Sequence, residues 1–403
     1  MPSINNKVIR KLRVAVYARV STDHEEQQSS FDAQVDYYTN LITKNSQWEY
    51  KELRFFAESV VSHYYADLEK GSPDIVVIGS NIPEELILAA GTAPYWILGG
   101  SRASSMWVDD IVPRDTDPVS RSGLGYAVSG FAAKSLVLVP LVSDSTRKLA
   151  YILKSMGFKV HTSHFPPIKD AQSFSEWNRQ YEACRNAVAL HLKRPLTKRS
   201  LRKTQEQVME VKKKIRDFME ASEGILNGTD RMFILGSYYC TGNLSEWGFR
   251  LERLTERLRG EKKRQGNEKC RVLLLGSPFY FPNYKVPFLI EESGLELFWQ
   301  ADYTTLSLWG DAGPGQKQKR NGADVFYQKD VSSAYVKNDS LYECIEKLIA
   351  EKDIDGVVYH VLKGQIEYDF ELGRFEELFE SLNVPVFRLE GNKSILCSNA
   401  IQK

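Results

Sequence analysis

The residues best placed for chemistry lie at the end of one apolar run. Val357 to Leu362 is β-branched and apolar, the pattern of a strand buried in a parallel sheet. It leads directly into Lys363, Gly364 and Gln365. In an open parallel sheet, ligands sit beyond the carboxyl ends of the strands, so a binding crevice is expected at these three residues. Two further stretches read as helix starts. Asp117 precedes Pro118 in DPVSRSGLGY, and Ser143 opens SDSTRKL. Asp and Ser are favoured N-caps and Pro suits the first helical position. The free N–H groups at such a helix start favour negative charge. Sulfur ligation is not suggested by spacing. Cys184, Cys240, Cys270, Cys344 and Cys397 are scattered and odd in number, with no CxxC pair, which argues against a zinc site or a disulfide framework. Cys184 falls in line with Trp177, Tyr181 and Val188, and Cys344 with Leu341, Ile345 and Leu348, so both read as small hydrophobes on buried helix faces.

The elements that must position these residues follow from hydrophobic patterning. After Gln365 the segment stays polar to Asp369, the expected N-cap of a helix carrying Phe370, Phe375, Leu378 and Phe379. Pro385 to Leu389 makes the next strand, so 355–390 forms one α/β unit. Earlier in the chain, Asp74 to Gly79 reads as a strand. Pro83 then opens a helix with Glu84 and Glu85 in its first turn, where negative charge suits the dipole, and Gly91 closes it. Those glutamates read as helix-start residues and not as acid/base catalysts. Tyr95 to Leu98 and Leu136 to Pro140 are further strands. Two long helices are expected over Ser173 to Leu192 and Ser200 to Gly224. The second is basic through Arg199, Arg202, Lys203, Lys212, Lys213, Lys214 and Arg216, but Glu206, Glu210 and Glu220 are interleaved, as on a solvated face. Met232 to Leu235 and Arg271 to Leu275 read as strands, and Val286 to Glu292 as a helix closed at Gly294. The stretch 310–322, GDAGPGQKQKRNG, reads as a flexible basic loop.

The expected fold class is therefore α/β: two doubly wound parallel-sheet (Rossmann-like) domains with a helical segment between them. The boundaries expected are an N-terminal βα fragment over 1–54, a first α/β domain over 55–165, the helical segment over 166–230 and a second α/β domain over 231–403. A chain of 403 residues with 42% hydrophobic content can bury two sizeable cores. Its formal net charge of +1 sets up no global field toward nucleic acid. The start MPSINNKVIRKLR is polar, and runs such as Leu136 to Val142 are too short to span a bilayer. A cytoplasmic protein with no membrane partner is expected.

From about Phe55 onward the chain resembles subunits of the 2-hydroxyacyl-CoA dehydratase and benzoyl-CoA reductase family. The family pattern DGV-x-x-H-x-LK-x-C-x-x-Y-x-FE is met by DGVVYHVLKGQIEYDFE, except that Gln365 stands at the cysteine. DPVSRSGLGY resembles C-P-x-x-R-x-x-L-G with Asp117 at the cysteine, and SDSTRKL resembles the Cys-Asp motif with Ser143 at the cysteine. PEELILAAG, RVLLLGSPFY and IEESGLELFWQAD also match family patterns. The resemblance implies that those cysteines hold a [4Fe-4S] cluster, fed by an ATP-dependent activator, for dehydration of a 2-hydroxyacyl-CoA or reduction of an aryl-CoA. It implies Arg121, Asp144, Arg147, His360 and Lys363 as crevice neighbours, with a sister dehydratase subunit, the activator and acyl-CoA as partners. With all three ligand positions substituted, the expectation is a degenerate subunit that carries no cofactor. The basic loop over 310–322 would be the place to meet CoA phosphates, although a plain surface loop fits its composition better.

The stretch from Leu12 through about Leu41, carried by RVAVYARVSTDHEEQQSSFDAQVDYYTNLI (13–42), resembles the opening strand and helix of the serine recombinase catalytic domain. That resemblance implies Ser21 as nucleophile and Arg19 as phosphate ligand, with Gln27, Ser30 and Gln34 also matching. The match fades by about Tyr50, and one strand and one helix cannot assemble the converging groups that such a nucleophile needs. An inactive fragment and no DNA partner are expected.

Overall fold

The computed structural model describes residues 51–64, 72–99, 107–113, 116–263, 269–281, 284–309, 330–332 and 335–391. The recombinase-like stretch with Ser21 and Arg19, the basic loop and Cys397 lie outside the described residues.

Two four-stranded parallel sheets form the frame. The first contains β1 (Ile75–Ile78), β2 (Tyr95–Ile97), β3 (Leu136–Leu141) and β4 (Lys159–His164), in the order β2-β1-β3-β4. The second contains β5 (Arg271–Gly276), β6 (Glu296–Gln300), β7 (Gly356–Leu362) and β8 (Val386–Gly391), in the order β6-β5-β7-β8. All described pairings are parallel. In each sheet the chain winds outward in opposite directions from its first strand. A switch point therefore lies between β1 and β3, and another between β5 and β7, and it is beyond the carboxyl ends at such points that open parallel sheets bind ligands.

The strands alternate between two buried faces, as parallel strands covered on both sides must. Ile75 and Val77 of β1 join Leu273, Leu275, Val357, Tyr359 and Val361 in one continuous core shared by both sheets. Val76 and Ile78 point instead into a smaller core with Val137 and Val139, and Val272 and Leu274 into another with Leu389. Helices fill the shared core: α1 (Lys51–Tyr64), α2 (Glu84–Ala89), α5 (Ala171–Leu192), α6 (Lys198–Ser222), α7 (Gly228–Gly236) and α8 (Leu244–Arg259). Helices α3 (Pro118–Tyr126), α4 (Asp144–Ser155) and α9 (Lys285–Glu292) pack on the two smaller cores, while α10 (Tyr303–Trp309), α11 (Asp339–Glu351) and α12 (Ile366–Ser381) also join the shared core. Trp177, Trp247 and Phe218 are essentially inaccessible at its centre. Burying an aromatic of that size contributes on the order of 3 kcal/mol.

Cys184 is buried beside Trp177, Tyr181 and Val188, and burial pushes its thiol up to about 12. Cys344 is half-buried against the same core, with its thiol also raised by burial. Among the described residues, no helix is long and apolar enough to cross a membrane.

Three local expectations are corrected. Met232 to Leu235 is helical, within α7, and not a strand. The run is buried all round, and periodicity cannot separate a buried helix turn from a buried strand in so few residues. The deciding signals are Asn227, which caps the helix by accepting from Asp230 N–H at 2.7 Å, and Glu291, which accepts from Gly228 N–H at 2.7 Å. Asp369 is not an N-cap, because α12 already starts at Ile366. Gly364 adopts a φ of 96°, turning the chain sharply after β7 so that the helix begins four residues early. Asp369 instead pairs with Arg388 at 2.7 Å. Pro83 occupies the cap position of α2 itself, with the helix beginning at Glu84.

The first-turn glutamates of α2 are enclosed by neighbouring helices. Glu84 accepts from the Tyr238 hydroxyl at 2.6 Å and lies 4.0 Å from Lys212, and Glu85 receives the Tyr181 hydroxyl at 3.4 Å. Burial pushes the Glu85 carboxyl from 4.5 up to about 7, with Glu84 adding to the rise and Lys212 opposing it. A carboxyl raised in the folded state stabilises the fold at low pH and loses that contribution as pH climbs through its folded value. Glu85→Gln should therefore flatten the melting temperature between about pH 4.5 and pH 7. At pH 8 the variant should melt above the parent. Parallel melting curves across that range would contradict the assignment.

Candidate functional site

The three sequence-predicted ligand positions all stand at helix N-termini, Ser143 and Gln365 directly after β3 and β7 and Asp117 after a longer connection from β2. Asp117 is the N-cap of α3 and is buried. Its carboxylate accepts from the Val119 N–H at 3.1 Å, the Ser120 N–H at 2.9 Å and the Ser120 hydroxyl at 2.6 Å. Pro118 takes the first helical position, where its missing N–H costs nothing. Ser143, two residues beyond β3, is the N-cap of α4. Its Oγ accepts from Thr146 N–H at 3.2 Å while its own N–H donates to Thr146 Oγ1 at 3.0 Å, a reciprocal capping box.

Gln365 differs from the other two. It holds the N-cap position of α12, yet its side chain makes no capping bond. It is 6% exposed, and its Oε1 has no hydrogen-bond partner among the described residues. Its backbone N–H donates to Leu362 O at 2.9 Å, closing the turn at Gly364.

Electrostatics connect these helix starts. Glu367, in the first turn of α12, is pushed up to about 7 first by burial and then by the charges of Asp117 and Asp144. Tyr303 at the start of α10 is raised by burial and feels Asp302, Asp117 and Glu367. The first turn of α12 thus lies within electrostatic reach of Asp117 at the start of α3 and of Asp144 at the start of α4. Among the described residues, no group of His, Cys, Asp or Glu side chains is arranged to hold a metal ion.

The other sequence-predicted neighbours divide. Asp144 is exposed in the first turn of α4, within reach of Glu367, and Arg147 is exposed one turn later. Arg121, within α3, is buried and paired with Asp109. Lys363 is exposed at the end of β7, its N–H donating to Gly391 O at 2.8 Å. His360 is buried inside β7. Its ring stacks on Phe279 with centroids 4.4 Å apart, and burial lowers it to about 4. Gly391 leaves room for it: a Cβ there would come within 2.5 Å of Nε2. His360 is thus a neutral packing residue that shapes the strand.

Glu367 escaped the sequence reading. It stands inside the DGVVYHVLKGQIEYDFE stretch, and its first-turn position was obscured by placing the helix start at Asp369. Tyr303 offered no sequence signal, because its proximity to Asp117 comes from the tertiary fold.

Residues 79–395 match the family model described as 2-hydroxyglutaryl-CoA dehydratase, D-component. The match does not extend to the recombinase-like stretch. No curated protein matches the chain.

The caps generate a stability prediction. Ser143→Ala should cost about 1 kcal/mol, and Asp117→Ala up to about 2 kcal/mol, because its carboxylate satisfies two backbone N–H groups. Asp117→Asn, which keeps an acceptor, should lose less than Asp117→Ala. Urea unfolding midpoints check this, and equal losses for Asn and Ala at 117 would contradict the capping role.

Proposed function

The chain belongs to the 2-hydroxyglutaryl-CoA dehydratase D-component family, and from that premise we propose that it is a subunit without a cluster of its own. In this reading it holds an acyl-CoA or a sister subunit at the crevice. The observation that carries the reading is the commitment of Asp117 and Ser143 to their own helices. A [4Fe-4S] cluster is held chiefly by thiolates. At the three positions where the family resemblance expects sulfur, this chain offers a carboxylate already accepting three hydrogen bonds, a hydroxyl already accepting one, and a neutral amide. These donors do not fit the cluster, and no chemical step is assigned through it.

The charge distribution supports the same reading. Helix N-termini favour a negative partner, and an anionic thiolate-held cluster would supply one. Here the Asp117 and Asp144 carboxylates stand at those helix starts, close enough to Glu367 to help raise its carboxyl. An anionic cluster added among them would meet repulsion instead of compensation. A family described as one component of an enzyme implies companion chains, which supports a sister subunit as partner. The alternative of an active, cluster-dependent dehydratase or aryl-CoA reductase subunit is the one the donor chemistry argues against.

Protein purified under strict anaerobiosis should be colourless, with iron and acid-labile sulfide far below one cluster per chain. Stoichiometric iron and sulfide with a broad visible absorption band, lost on exposure to air, would overturn the proposal.

A further inference from the structure

The second sheet has one covered edge and one open edge. At the covered edge α7 lies against β6, where Arg231 donates to Leu297 O at 3.3 Å. At the other edge stands β8, with β7 on one side and, among the described residues, no strand on the other. Val357 N–H donates to Pro385 O at 2.9 Å and Lys363 N–H to Gly391 O at 2.8 Å. The backbone groups at odd-numbered positions of β8 are thus spent on β7. Those of Arg388 and Glu390 point to the open edge, and both residues are exposed. Such an edge is a template for pairing with another strand.

Apolar surface flanks this edge on both faces of the sheet. Phe387 is exposed on one face. On the other, Asp369 of α12 reaches Arg388, so the helix face that holds Ile366, Asp369 and Phe370 looks toward β8. Ile366 and Phe370 are exposed one turn apart, Phe370 by 79%. Gly373 continues the same stripe, and a Cβ there would meet nothing within 4 Å, which leaves room for a neighbouring element. Covering these side chains would be favourable in proportion to the apolar area removed from water.

We propose that β8 pairs antiparallel with β8 of a second copy of this chain, about a two-fold axis at Leu389. The charges choose both the partner and the register. Centred on Leu389, the pairing sets Arg388 opposite the partner's Glu390, and Glu390 opposite the partner's Arg388. Each such pair also exchanges two backbone hydrogen bonds, since both residues turn their N–H and C=O to the open edge. Arg388 can keep Asp369 as well, because a guanidinium carries five donors. Phe387 then lies opposite the partner's Gly391, where no side chain opposes its ring. Centring the pairing on Arg388 or on Glu390 would set like charges face to face, which disfavours those registers. A two-fold contact uses one patch twice, and this strand is its own complement. The inference does not rest on the reading of the cluster positions.

Sedimentation equilibrium of the full-length chain tests the proposal. At low salt the parent should associate to twice its chain mass of 46.0 kDa. Glu390→Arg and Arg388→Glu each set like charges opposite one another and should weaken self-association by about tenfold or more. Mixing the two variants should restore a dimer of one chain of each kind, to within about fivefold of the parent, because opposite charges then meet at both positions. Glu390→Arg breaks no ion pair among the described residues, so it carries the test alone should Arg388→Glu not fold. A parent that stays monomeric at its highest soluble concentration would overturn the proposal. So would a dimer indifferent to Glu390→Arg, or two folded variants that dissociate and fail to associate when mixed.

Discussion

Each helix that starts at the carboxyl end of a parallel strand exposes backbone N–H groups with no partner inside the helix, and they need negative or accepting groups. The crevice of this protein is organised by that need. At α3 the Asp117 carboxylate meets it, and at α4 the Ser143 hydroxyl does. At α12 the side chain of Gln365 does not, and Glu367 in the first turn is a carboxyl pushed up by burial and by its acidic neighbours. A prosthetic group could meet the same need on the same backbone. The family to which the chain belongs and the side chains it carries therefore describe two ways of satisfying one scaffold.

That scaffold is held independently of the crevice. The shared core runs from Ile75 and Val77 of the first sheet through the helices α6 and α8 to Val357, Tyr359 and Val361 of the second. None of these residues depends on what occupies the helix N-termini. Gly276, with φ at 93° and no room for a Cβ against His360 O, lets β5 and β7 close at the switch point without any ligand. A chain of this kind can change its site residues one by one at a cost of caps and local contacts, while the sheets remain intact.

Much of this was legible in the sequence. Buried parallel strands announce themselves as apolar β-branched runs, and β1, β3, β5 and β7 were found within a residue or two. The caps at Asp117 and Ser143 were legible because Asp before Pro, and Ser with a polar residue three positions on, have few other uses. What was illegible follows from physics that a single strand or helix does not carry. The α7 run is apolar on every side because Ile234 and Leu235 enter the shared core while Met232 and Phe233 enter the smaller core of the second sheet, and that erases the period that would have marked it as helix. Glu367 draws its raised carboxyl first from burial and then from Asp117 and Asp144, more than 200 positions away, which no local pattern encodes. Asn81 and Asp330 meet across a separation of 249 residues and look like ordinary loop residues until the fold joins them.

The central claim is that the crevice has kept its frame and exchanged thiol positions for caps. Its most direct test is to restore sulfur at all three positions in one chain, Asp117→Cys with Ser143→Cys and Gln365→Cys, and attempt anaerobic reconstitution with iron and sulfide. The account predicts that the triple variant takes up a [4Fe-4S] cluster with its characteristic visible absorption and paramagnetic signal on reduction. Each single variant should take up none, because one thiolate cannot hold such a cluster. The apo triple variant should be less stable than the parent through loss of its caps, and should regain stability on reconstitution. A well-folded triple variant that binds no iron would contradict the account, since it would mean that these three positions do not face one common site.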